Sequence, residues 1–121
     1  MSAILERATE HFLNRVSGDM EYVLVPEWGE DDKNPLKIYY KPMNLIDQNK
    51  IYKYVTEGSL ESLVETLIVR ARNEGGKKMF KPVERSVLMM KVDPKVITRI
   101  CNEMSGDDDN DISSDDAEKN S

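Results

Sequence analysis

The 121-residue chain is short of the side chains that most chemistry requires: one cysteine, one histidine, one tryptophan and two phenylalanines. A lone Cys101 forms no internal disulfide, and its place on a helical apolar stripe makes it a small buried hydrophobe. His11, without a second imidazole or a thiol at ligand spacing, lies beside an apolar stripe as a surface or half-packed residue. Nucleophilic catalysis needs a Ser or Cys with a positioned base, and Cys101 and His11 lie near opposite ends of the chain. The chain also lacks a Gly-rich phosphate loop, a zinc spacing and a dinucleotide fingerprint. The Asp107–Asp111 cluster lacks the glycine and terminal glutamate of a calcium loop. No run approaches the ~18 apolar residues of a membrane span, and the N-terminus has no signal-peptide pattern. These absences predict a cytoplasmic protein that is not an enzyme, with no catalytic residues, no cofactor and no metal.

The charge is unevenly placed. The net −6 lies wholly in the tail, because residues 1–104 carry sixteen acids and sixteen bases. Residues 105–121 carry seven acids against Lys119 alone. A neutral body offers no basic footprint, which argues against nucleic acid as a partner. The tail is too polar and charged to fold by itself and is expected to be disordered. Keeping an aggregation-prone complex soluble is the simpler role for it; mimicry of nucleic acid by a host-directed decoy is the other.

The centre of the chain is Ser59–Asn73. Leu60, Leu63, Val64, Leu67, Ile68 and Ala71 recur at helical spacing, with Ser59 as cap and Gly75-Gly76 as stop. This stretch is expected to be the core helix. Before it, residues 3–16 form a helix with Leu5, Ala8, Phe12 and Val16 on one face. Gly18-Asp19 ends that helix, which either packs on its own domain or swings onto a neighbour. Met20–Val25 and Lys37–Lys41 read as two strands around a Pro26-Glu27-Trp28-Gly29 corner and an acidic loop. Asn44 caps a further helix with Leu45, Tyr52 and Val55 on one side. Residues 77–81 form a basic turn with Phe80 tucked inward, and Pro82 opens a short helix with Val83, Val87 and Met90 inward. Asp93-Pro94 starts a last helix with the stripe Val96, Ile97, Ile100, Cys101 and Met104, closing at Gly106.

The expected fold is mainly α with a small β-hairpin (α+β). One domain spans 1–104: an N-terminal helix (1–18), the hairpin (20–42) and a helical core of about four helices (44–104). A disordered acidic tail (105–121) follows. The candidate contact residues are Leu5 and Phe12 on the first helix, with Pro26, Trp28 and Tyr39 on the hairpin.

Val23-Leu24-Val25-Pro26-Glu27-Trp28-Gly29, followed by Ile38-Tyr39-Tyr40-Lys41-Pro42-Met43, resembles the tail assembly chaperones of long-tailed, siphovirus-type bacteriophages. The turn at residues 74–80 and the Asp93–Met104 helix extend the resemblance over 1–104; the long acidic loop Glu30–Pro35 departs from it. The resemblance implies a homo-oligomer that coats the tape measure protein and helps recruit tail tube protein. It places the chain in the cytoplasm of an infected or lysogenic bacterium and leaves it out of the mature virion. It also implies a longer form made by programmed frameshifting. Glu118-Lys119-Asn120 is compatible with the slippery codons GAA AAA AAC. The alternative is a small structural neck or tail protein that persists in the particle.

Overall fold

The computed structural model describes residues 2–109, with side chains as far as Gly106. Among them are five helices and one antiparallel hairpin, the α+β architecture expected from the periodicities. Helix α1 (Ala3–Ser17) starts where the Ser2 Oγ accepts the Leu5 amide at 3.0 Å. Strands β1 (Glu21–Val25) and β2 (Leu36–Tyr40) pair with Val23 opposite Ile38 and Tyr22 opposite Tyr39. The connection is held locally. The Asp31 carboxylate accepts the Lys33 amide at 2.8 Å and the Asn34 side-chain amide at 3.0 Å. A Cβ at position 29 would meet the Asn34 carbonyl at 2.1 Å, so the chain passes there only as Gly29.

Helix α2 (Leu45–Thr56) is capped as its Asn44 suggests, with the Asp47 amide donating to Asn44 Oδ1 at 2.8 Å. It rests on α3 (Glu61–Arg70). A 3-10 turn at Pro82–Glu84 leads into α4 (Arg85–Lys91), and Asp93 caps α5 (Pro94–Asp109) through the Lys95 amide at 2.9 Å. The core lies between the inner face of the hairpin and helices α3 and α5. Val23, Val25, Ile38 and Tyr40 meet Val64, Leu67, Ile68 and Ala71 on one side and Ile97, Ile100, Cys101 and Met104 on the other. The stripe expected on α5 is buried at all five positions.

Four expectations are corrected. First, α3 ends at Arg70, before the Gly75-Gly76 pair. Ala71–Asn73 leaves the helix and extends alongside β2, where the Arg72 amide and carbonyl bond the Tyr39 carbonyl and amide at 2.8 and 2.9 Å. The two glycines instead turn a small hairpin in which Asn73 faces Lys77, with Gly76 at φ +85°. Second, Leu60 of the expected core stripe lies outside, and the side of α2 that carries Leu45, Tyr52 and Val55 belongs to a helix with no buried residue. Third, α4 turns Leu88 inward and leaves Val83, Val87 and Met90 exposed. Its seven residues are too few for a periodicity to fix the phase against flanking Met and Val. Fourth, α5 runs through Gly106 to Asp109; Gly106 is an interior residue there and no stop. The tail expected to be disordered therefore begins inside a helix, and its remainder, residues 110–121, lies outside the described residues.

Candidate interaction surface

α1 contributes no buried residue to the domain. Its apolar stripe is half-covered only at Phe12 and Val16, while Ile4 is 72 % and Leu13 58 % exposed. An amphipathic helix gains its stability chiefly by burying its stripe against something. Nothing in the rest of the described chain does that for Ile4, Leu5 and Leu13.

The hairpin next to it has one protected edge and one open edge. Tyr39 gives both its backbone groups to Arg72, so they point away from β1. In an antiparallel ladder this makes Tyr22–Tyr39 a pair that exchanges no hydrogen bonds. The amides and carbonyls of Tyr22 and, two residues on, of Leu24 therefore face outward from β1. No backbone hydrogen bond from a turn, loop or other element among the described residues reaches them. The side chains of the same two residues lie on the outer face of the sheet, 49 % and 47 % exposed. There the Tyr22 ring sits 5.5 Å from that of Tyr39, and Lys37 Nζ lies 4.9 Å from the Tyr22 ring centre.

The five candidate contact residues fall into different settings. Leu5 is exposed and Phe12 half-buried, both on α1. Tyr39 belongs to the outer face just described. Pro26 is exposed at the corner, whereas Trp28 turns inward and meets Phe80 edge-on at 6.4 Å, closing the rim of the core. Leu5 and Phe12 are thus brought together by their helix, and Tyr39 joins Tyr22 across the strands. Trp28 works as an anchor between the hairpin corner and the segment after the glycine turn.

Charged groups clamp the elements beneath this surface. Arg99 on α5 holds Glu27 with two bonds, 2.6 and 2.8 Å, tying the hairpin corner to the last helix. These bonds hold the Glu27 carboxyl down at about 2 from an ordinary 4.5, and Glu27 in turn raises the Arg99 guanidinium. Arg70 is buried, donating to the Lys41 carbonyl at 2.9 Å and the Met104 carbonyl at 3.4 Å, with Tyr40 stacked 5.1 Å away. Glu65, also buried, pairs with Arg85 and links α3 to α4. Helical spacing alone sets Glu65 and Arg70 mostly off the Leu60–Ala71 stripe of α3. Seven consecutive residues of that helix, Val64–Arg70, are buried, so it has no outer face there. Burial pushes the Cys101 thiol up to about 12, and its Sγ donates to the Leu63 carbonyl at 3.4 Å.

Among the described residues no group of three or more His, Cys, Asp and Glu side chains is placed to hold a metal ion. No helix there is long and apolar enough to cross a membrane. Apolar side chains also line a groove of about 140 Å³ between α3, α4 and α5, where Leu60, Leu63, Met89, Val92 and Ile97 converge. Compared with protein-family models, curated proteins and solved structures, the chain finds no match. The functional reading therefore rests on the surface itself and on the sequence motifs.

Proposed function

We propose that this chain is a tail assembly chaperone of a long-tailed bacteriophage. In this reading it self-associates, coats the tape measure protein, helps recruit tail tube subunits and is absent from the finished virion. It works in the cytoplasm of the infected or lysogenic host. The observation that carries the proposal is α1: an amphipathic helix attached to a packed domain that buries none of its residues. Such a helix suits a protein whose task is to cover apolar stripes on other helices. The Val-Pro-Glu-Trp-Gly corner and the glycine turn at 75–76 support the phage family on sequence grounds.

Co-expression with the tape measure protein tests the reading. The expected result is a soluble complex that Leu5→Asp with Phe12→Asp abolishes, while the chain alone stays folded. A tape measure protein that remains insoluble beside the native chain would refute the proposal. Mass spectrometry of purified particles separates it from a structural neck or tail role, which requires the chain to persist in virions. The codons at Glu118-Lys119-Asn120 test the longer form: GAG or AAG there removes the slippery run.

A further inference from the structure

Natural sheets blunt an open edge with lysine, proline, a bulge or a covering loop. β2 has such a cover in Arg72, and β1 has none between Glu21 and Val25 among the described residues. We infer that β1 pairs edge to edge with β1 of a second copy, antiparallel about a twofold axis at Val23, to give one continuous sheet across a symmetric dimer. This deepens the self-association in the proposed function and rests on that part of it.

The register follows from which groups are open. Tyr22 and Leu24 are the residues whose amides and carbonyls face outward, and they stand one on each side of Val23. An antiparallel copy centred on Val23 places Tyr22 opposite the second copy's Leu24 and the reverse. Each of those two pairs exchanges both of its hydrogen bonds, four in all. On the outer face each Tyr22 ring then lies beside a leucine, an aromatic–aliphatic pair that favours the register. Glu21 falls opposite Val25, so no like charges meet. A shift by one residue would turn the open groups away from each other and put inner-face side chains on the outer face.

Five-residue edges alone bury too little for a stable dimer, which removes roughly 800 Å² per partner from water. The pairing is therefore a weak, concentration-dependent one. With Glu21 beside the second copy's Val25, the linker 18–20 carries the end of α1 next to the Pro26–Trp28 corner of that copy. Tyr22 and Leu24, each about half exposed in the single chain, are covered across the seam, and the apolar stripe of α1 stays available to a client.

Sedimentation velocity of the full chain over a concentration series tests this. The native chain is expected to pass from monomer to dimer. Tyr22→Pro removes an outward amide that no internal ladder bond uses, and Leu24→Lys places like charges on the shared face; each should raise the dissociation constant at least tenfold. Circular dichroism confirms that the variants remain folded. As a register test, Tyr22→Cys and Leu24→Cys chains mixed under oxidation should cross-link to each other far more than either does alone, because position 22 faces 24. A native oligomer that ignores both edge variants and forms no mixed cross-link would overturn the edge while leaving self-association intact. A native chain that is monomeric at every concentration would overturn both. If that monomer loses client binding on Leu24→Lys, the edge belongs to a client strand and the dimer is wrong.

Discussion

Single side chains carry three effects that can be measured one at a time. The Glu27 carboxyl, held by Arg99, titrates at about 2 in the folded chain and near 4.5 when unfolded. A depressed acid stabilises the fold fully above its unfolded value, and that contribution fades as pH falls from 4.5 toward 2. Glu27→Gln should therefore flatten this part of the acid-denaturation profile, followed as the denaturant midpoint against pH, and leave the slope near neutrality unchanged. Cys101, with its thiol at about 12 and its Sγ bonded to Leu63, should resist thiol reagents at pH 8. It should react at full rate only when denaturant opens the core. Leu67 and Met104 are fully buried, so Leu67→Ala or Met104→Ala should each cost about 2–5 kcal/mol in chemical unfolding.

Among the elements, α1 and α3 are opposites. α3 is surrounded by α2, α4, α5 and the hairpin, so its Glu65 and Arg70 are buried and must be paired or stacked there. α1 touches little, and deleting residues 2–18 should change unfolding stability by no more than about 0.5 kcal/mol, the range of ordinary surface changes. The same deletion should abolish client capture. Separating the two readouts distinguishes a binding helix from a structural one. The hairpin stands between these extremes: its inner face is core, its β2 side is closed by Arg72 and its β1 side is open.

Taken as a whole, the molecule is a charge-balanced helical body with exposed apolar stripes and an acidic C-terminal stretch. Its net charge of −6 resides where the stripes do not. Acidic charge at one end opposes precipitation of complexes that gather apolar surface at the other. Deleting residues 105–121 should leave client capture unchanged and lower the solubility of the complex, measured by pelleting across a salt series.

Composition and periodicity alone determined the helical class, the two strands, the Asn44 and Asp93 caps and the buried stripe of α5. Each of these depends on residues near one another in sequence, and long amphipathic patterns have one consistent phase. The tertiary structure decided where α3 stops, which way α4 faces and that Arg70 lies inside. Arg72 leaves the helix because Tyr39, thirty-odd positions earlier, offers it two hydrogen bonds, and no local propensity encodes that partner. An Asn-x-Gly-Gly stretch is a turn signal that could have announced the small hairpin at 73–77. Which edge of the sheet remains open follows from that single contact, and so could be seen only once the chain was folded.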